Sequence, residues 1–417
     1  MGWALLLLAF TLLLIRRGWR RAIPKNPVFT LLILALSVRL LPGIVLVQNS
    51  NYDIASYSLV SDHVLAGEDV YTREDTASRH PYLPFIMYWM AFAKYLSNSF
   101  QLSFNALVKL LPITADALIS LILYFYLLKR ISPDQAFAGA TIYAINPIPV
   151  MVSSYHGQFD ALPASLMLIS IWQIDRSVFS SAWWLGLGVL AKSWPILALP
   201  SLLNEIKSYR KRIGYLIFLS IAPILGIFLY IRIFHSDFKT VILKSLSYNH
   251  GLGAYGYTYF SHLLLDLWPA WGVSIFTFIY TYGRYFTVLI LVIIWFTTAR
   301  KEKLAAGVLT VLVCFFAVTH AFAVQYLMWL VPLAIINQEY RWLRLFTLSG
   351  FAYMFLVYNT VILKLSITTL LPYQTADLAL IIPASLPIWF VSIAWIINRV
   401  KNTQRIGQVQ VNFSSPA

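Results

Sequence analysis

The sequence predicts an all-α polytopic membrane protein. About 11–13 helices span the bilayer fully or in part, and long external loops join them. Three observations carry this. The 417 residues are 59% hydrophobic and only 11% charged, where soluble domains carry roughly 25% charge. Mean hydropathy is +0.72. Many apolar runs approach the ~20 residues that cross a bilayer. Residues 1–417 read as a single integral membrane domain, with no separate soluble domain.

The elements follow in chain order. Trp3–Ile15 is a short apolar helix and not a signal peptide. It lacks a basic leader, and Arg16-Arg17 stand where a small-residue cleavage site belongs. Val28–Val47 contains Arg39, and Ala106–Leu128 contains Asp116. Both charges sit about 12–15 Å deep at ~1.5 Å per residue. An unpaired charge there is expensive, so they are expected to pair. Gln135–Ser153 and Ala161–Ile174 come next. Ser181–Ala191 and Pro195–Leu203 flank Lys192-Ser193-Trp194, with basic residues at both outer ends, so the chain leaves one face and returns to it. Pro195 resists helix continuation. Irregular backbone at that depth must be buried in protein or line a cavity. The remaining spans are Ile213–Phe234, Tyr285–Ala299, Leu304–Thr319, Phe322–Asn337, Leu345–Ile362 and Leu378–Asn398.

Net charge is +15, but this does not point to nucleic acid. Most of the 31 Lys and Arg fall in short loops on one side: Arg16, Arg17, Arg20, Arg21, Lys25, Lys129, Arg130, Arg176, Lys207, Arg210 to Arg212, Arg300, Lys301, Lys303, Arg341, Arg344, Arg399, Lys401 and Arg405. That side is cytoplasmic by the positive-inside rule. The N-terminus is then outside and the C-terminus inside. All seven histidines, His63, His80, His156, His235, His250, His262 and His320, fall outside. So do two long segments, about 48–105 and about 235–284, and a short motif at 154–160. The lone Cys314 excludes an intramolecular disulfide. The histidines lack H-x-H or H-x-x-x-H spacing, so a dedicated divalent-metal site has little support and no cofactor is obligatory.

The candidate site lies in Asn51-Tyr52-Asp53 and Tyr155-His156-Gly157-Gln158-Phe159-Asp160, at the outer ends of apolar runs. Asp53 is either a solvated loop acid or a general base at the membrane surface. Asp160 precedes a helix start, where a carboxylate serves as a cap. His156 and Gln158 can bond sugar hydroxyls or phosphate oxygens. Lys192 either snorkels to the cytoplasmic face or aims a cation at a lipid phosphate.

These residues resemble the GT-C superfamily of polyprenyl-phosphate-sugar-dependent glycosyltransferases, in particular bacterial members related to eukaryotic mannosyl- and glucosyltransferases. The span with Arg39 leads to Asp53. Leu65-Ala66-Gly67, Tyr71 and His80-Pro81-Tyr82-Leu83-Pro84 look like the family's first-loop stretch. His156-Gly157-Gln158-Phe159-Asp160 is similar to its W-G-Q-x-D turn, with His156 in place of Trp. Lys192-Ser193-Trp194-Pro195 with Leu199-Pro200 resembles its K-x-x-P…LP segment. Gln325-Tyr326-Leu327 with Leu330-Val331-Pro332 resembles a late RYL…LP stretch, with Gln325 in place of Arg.

The resemblance implies transfer of a hexose, mannose or glucose, from a polyprenyl-phosphate donor to an acceptor hydroxyl, with inversion. Asp53 is the implied base. Tyr52, His80, Tyr82, His156, Gln158, Asp160, Lys192, Gln325 and Tyr326 are the implied substrate contacts. Besides donor and acceptor, the only partners expected are membrane lipids.

Two other classes compete. A secondary transporter should show matching interrupted helices in both halves, and the sequence shows one such segment. A glycan ligase or polymerase using a lipid diphosphate should carry more outer-loop arginine than Arg73, Arg79 and Arg284. No Asn-x-Ser/Thr sequon falls outside, since Asn412-Phe413-Ser414 lies inside. This favours a bacterial plasma membrane with an outward-facing site.

Overall fold

A computed structural model describes residues 2–17, 23–45, 51–76, 79–247, 255–358 and 382–414. Arg20, Arg21 and His250 lie outside these residues, as do the ends of three expected spans, at 46–47, 359–362 and 378–381. No strand occurs among the described residues. Among the described residues, six helical stretches are long and apolar enough to cross a membrane, and five shorter apolar helices accompany them. The protein is an all-α polytopic membrane protein. By contact it divides into two compact units, Met1–Tyr248 and Asn249–Ala417.

The first unit holds α1 (Gly2–Arg17), α2 (Pro27–Leu40), α3 (Tyr52–Leu65), α4 (Ile86–Phe100), α5 (Phe104–Leu128) and α6 (Pro133–Ile145). It continues with α7 (Pro147–Val150), α8 (Ala161–Gln173), α9 (Val178–Ala191), α10 (Leu199–Glu205), α11 (Tyr209–Phe234) and α12 (Phe238–Ser247). Local chemistry sets the starts. The Asn26 side chain accepts from Phe29 N, and Pro27 opens α2, where its missing N–H costs nothing. Ser103 caps α5 in the same way. Helix α9 packs between α8 and α11. Gly186 permits this, because a Cβ there would lie 2.3 Å from the Leu219 carbonyl oxygen. Small residues let membrane helices approach closely.

Between α2, α5 and α6, Arg39 and Asp116 meet. Arg39 Nε donates to Asp116 Oδ2 at 2.6 Å, with both side chains fully buried. Arg39 Nη1 donates to the Ala144 and Ala35 carbonyls at 2.7 and 3.0 Å. Asp116 also accepts from Tyr143 Oη at 2.5 Å and from Ser153 Oγ at 2.6 Å.

Four sequence expectations need correction. Gln135–Ser153 is not one helix. Pro147 disfavours helical backbone at Asn146, which is extended there, so α6 stops at Ile145. After α7 the chain forms a π-helical turn over Met151–His156. The segment at 48–105 is not an open loop but carries α3 and α4. The stretch at 235–284 is also largely helical: α12, α13 (Tyr257–Leu267) and the first half of α14 (Pro269–Thr297) occupy it. Ser, Thr, Tyr and Arg284 dilute the apolar run there, which hid a 29-residue helix. The fourth correction concerns interrupted segments. The expected break at Lys192 exists: α9 ends, Lys192 is extended, and a 3₁₀ turn Trp194–Ala198 leads into α10. The second unit contains a comparable one. There α15 (Leu304–Val318) ends at extended Thr319, and a 3₁₀ turn Val324–Trp329 leads into α16 (Leu330–Ile336). That unit closes with α17 (Tyr340–Val357) and α18 (Ile382–Ser414).

The buried pair gives a stability prediction. Arg39→Ala or Asp116→Ala strands one charge and is expected to cost about 3–5 kcal/mol. The double variant should recover part of that loss. Thermal melting in detergent of the two single variants and the double variant checks this. Strictly additive losses would contradict the coupling.

Candidate functional site

Two segments of the first unit build the site. The first is the N-terminus of α3. Asn51 caps it, accepting from Ile54 N at 3.0 Å, and this places Asp53 in the first turn, where the helix dipole favours a carboxylate. The Asn51 amide also donates to the His156 carbonyl at 2.8 Å, so one side chain ties the helix to the second segment.

The second segment is the irregular run after Asn146. A π-turn is a common device for re-aiming side chains at a functional position. Here it ends at Gly157, whose φ is 89°. A Cβ at Gly157 would lie 2.9 Å from Ile54 Cδ1 and 3.0 Å from the Lys109 stem. Only glycine meets both the left-handed backbone and the close packing. Lys109, buried in α5, donates to the Tyr155 carbonyl at 3.1 Å. It thereby holds the last carbonyls of the turn.

The two segments converge on Asp53. His156 Nε2 stands 2.7 Å from Asp53 Oδ2, and Gln158 Nε2 donates to the same oxygen at 2.6 Å. Burial pushes the Asp53 carboxyl up, but the hydrogen bonds and charge of His156, the Gln158 amide and the Lys192 cation together hold it below the usual carboxylate range. The Asp53 side chain keeps 30% of its surface exposed while His156 is at 7%. Asp53 is therefore the member of the pair that faces outward.

Behind this pair lies an aromatic and ionic floor. Lys192 Nζ donates to Asp160 Oδ2 at 2.7 Å, with both side chains buried. Its ammonium stands 5.3 Å from the ring centres of both Tyr82 and Phe159. Tyr82 packs edge-on against Phe159 at 5.0 Å and against His80 at 5.6 Å. Two expectations change here. Asp160 occupies the cap position of α8 but makes no capping hydrogen bond, because its carboxylate is turned to Lys192. Lys192 neither snorkels nor presents an unbalanced charge, since Asp160 neutralises it.

Three buried polar atoms near this floor, His80 Nε2, Gln158 Oε1 and Tyr57 Oη, find no hydrogen-bond partner among the described residues. Buried polar groups are normally satisfied, so this set suits a hydroxyl-rich ligand. Tyr52 is exposed, with the Arg79 guanidinium 5.0 Å from its ring centre. Arg79 also donates to Ser56 Oγ at 3.1 Å.

The structure thus brings together Tyr52, Asp53, His80, Tyr82, His156, Gln158, Asp160 and Lys192. Gln325 and Tyr326 lie in the second unit, on the 3₁₀ turn, where Tyr326 stacks on Trp329 at 4.2 Å. Sequence reasoning placed Asn51 in the candidate site without its capping role, and missed Lys109 and Arg79 as site residues. An asparagine directly before a helix start was a readable signal. Lys109 was hidden inside an apolar run. No three His, Cys, Asp or Glu side chains among the described residues are placed to hold a metal.

No protein-family model matches the chain. It is 28% identical over 165 residues to GPI mannosyltransferase 1 of Candida albicans, covering 39% of each chain. It is 23% identical over 164 residues to GPI mannosyltransferase 1 of Debaryomyces hansenii, covering 38% of this chain and 37% of that one. The matched part therefore spans about two fifths of the length of these curated relatives.

His80 supplies a pH prediction. Burial lowers its pKa to about 4, against about 6.5 when unfolded. As pH falls through 6.5 the unfolded chain takes a proton that folded His80 refuses, so stability is lost between about 6.5 and 4. Replacement by Phe should flatten the fall in melting temperature across that window. The same slope in both proteins would contradict the assignment.

Proposed function

We propose that this chain is a membrane hexosyltransferase of the mannosyltransferase type. It moves the sugar from a polyprenyl-phosphate donor to an acceptor hydroxyl with inversion, and Asp53 is its general base. The observation that carries the reading is the outward-facing Asp53 carboxylate held by His156 and Gln158. Both donors bind Oδ2, which leaves Oδ1 for an incoming hydroxyl. In the transfer, the acceptor proton passes to Asp53 as the acceptor oxygen bonds the anomeric carbon. The bond from that carbon to the lipid phosphate breaks, and the phosphate leaves with the electron pair.

The remaining groups have supporting roles on this reading. His156 and Gln158 fix the carboxylate, a preorganisation that must hold to within about 0.5 Å. The orphaned acceptor Gln158 Oε1 and the Tyr57 hydroxyl suit sugar hydroxyls, which both donate and accept. Arg39–Asp116 and Lys192–Asp160 hold the surrounding backbone. The positive-inside assignment of the basic loops supports a site on the external face. The similarity to GPI mannosyltransferase 1 points in the same direction and favours mannose over glucose.

One observation favours a second reading. The interrupted segments at 178–205 and 304–336 are of the paired kind found in secondary transporters. A transporter would bind and move the lipid-linked sugar without cleaving it. Transfer from a synthetic polyprenyl-phosphate mannose, with purified protein in detergent, separates the two.

Asp53→Asn should lower turnover by ~10²–10⁴, the usual share of general base catalysis. Donor binding should survive, because the change removes a transition-state interaction. Wild-type turnover in a well-folded Asp53→Asn variant would remove Asp53 as the base.

A further inference from the structure

The second unit contains a cavity of about 680 Å³ that the transfer reaction does not use. Its lining includes Lys301, Glu302, Lys303, Glu339, Trp342 and Arg399. Arg399 is buried at its base. Its Nη2 donates to Glu302 Oε2 at 2.9 Å, its Nη1 to Glu339 Oε1, and its Nε to Thr310 Oγ1 at 2.5 Å. The other carboxylate oxygens are also engaged. Thr403 Oγ1 donates to Glu302 Oε1 at 3.1 Å, and Trp395 Nε1 donates to Glu339 Oε2. The base is therefore a rigid, prebuilt framework.

Depth in the membrane follows from the elements that end here. The apolar stretches Pro269–Lys301 and Pro383–Gln404 both terminate at the cavity. Trp342 and Trp395 stack at 6.1 Å with their planes 8° apart, and tryptophan concentrates at the membrane interface. The cavity thus opens at the level of the lipid headgroups. Basic pockets between transmembrane helices at that level bind phospholipid headgroups.

The charges choose among headgroups. At the rim, Lys301 and Lys303 are exposed and form no ion pair among the described residues. They suit a phosphate. At the base, two carboxylates share one guanidinium, so one negative charge remains. Carboxylates only accept hydrogen bonds. The inner end of an occupant must then be a cationic N–H donor.

We propose that this cavity binds a phosphoethanolamine headgroup, with the phosphate between Lys301 and Lys303 and the ammonium toward Glu302 and Glu339. Choline carries the charge but has no N–H. Glycerol donates but carries no charge. The assignment is independent of the transferase reading.

Full-length protein, purified and delipidated in detergent, can be offered phosphatidylethanolamine, phosphatidylcholine and phosphatidylglycerol in mixed micelles, with bound lipid read by native mass spectrometry. The expected result is roughly tenfold tighter retention of phosphatidylethanolamine than of phosphatidylcholine, the scale of one charge-assisted hydrogen bond. Lys301→Ala with Lys303→Ala should weaken retention of all three lipids roughly tenfold without unfolding, since the lipids share the phosphate and both side chains are exposed. Should the double alanine variant not fold, Lys301→Arg with Lys303→Arg keeps both charges and should keep the retention, whereas loss of retention there would overturn the proposal.

Soluble probes distinguish the source of the phosphate. Competition by glycerophosphoethanolamine would assign the headgroup alone as the ligand. Lipid binding without such competition would assign a membrane lipid. Equal retention of phosphatidylethanolamine and phosphatidylcholine by the wild type would overturn the proposal. So would unchanged lipid retention in the folded alanine variant, or equal competition by inorganic phosphate.

Discussion

The first unit depends on one constraint: a charge buried in a low-dielectric bundle must be balanced where it sits. Three aspartates in it face the same problem and solve it differently. Asp116 is fully buried against Arg39, and Asp160 is fully buried against Lys192. Each is consumed by its partner. Asp53 is held by an imidazole and an amide, and it alone of the three keeps substantial exposure. Structural pairing and chemical availability are thus divided among three otherwise identical side chains, and Asp53 is the one left exposed for the proposed role of base.

The same constraint organises the backbone. Arg39 reaches the end of α6 through the Ala144 carbonyl, and its own carbonyl accepts from Ser154 Oγ. Ser153 completes the shell of Asp116. The pair therefore grips the first residues of the π-turn, and Lys109 and Asn51 grip its last carbonyls. Between these anchors the turn sets His156 against Asp53. A helix that ran on past Asn146 would have placed His156 elsewhere, so the local irregularity is what makes the convergence possible.

Much of this was legible in the residues. Apolar runs located most spans, and the depth of Arg39 and Asp116 anticipated their contact. Asp53, His156 and Gln158 stood out because polar residues are scarce in the chain. Other features were hidden for physical reasons. Apolar patterning does not distinguish α-, 3₁₀- and π-geometry, so the π-turn and the second interrupted segment went unread. Among the described residues Lys109 donates to the Gly43 and Tyr155 backbone carbonyls, which leave no sequence signature. The partner of Lys192 lies 32 residues away, and nothing local marks Asp160 as an ion-pair acid rather than a cap. In α14, aromatic and hydroxyl residues diluted a long span enough to make half of it read as loop.

The central claim is that Asp53 is the base and that its neighbours set its acidity. It is tested most directly by the pH dependence of kcat/KM for transfer from a synthetic polyprenyl-phosphate mannose, whose acid limb reports the essential base of the free enzyme. In the wild type this limb should lie below the usual carboxylate range, following the direction of the Asp53 shift. Gln158→Leu removes one donor from the charged carboxylate, so the limb should move to higher pH. An acid limb that stays in place when Gln158 is removed would contradict the account.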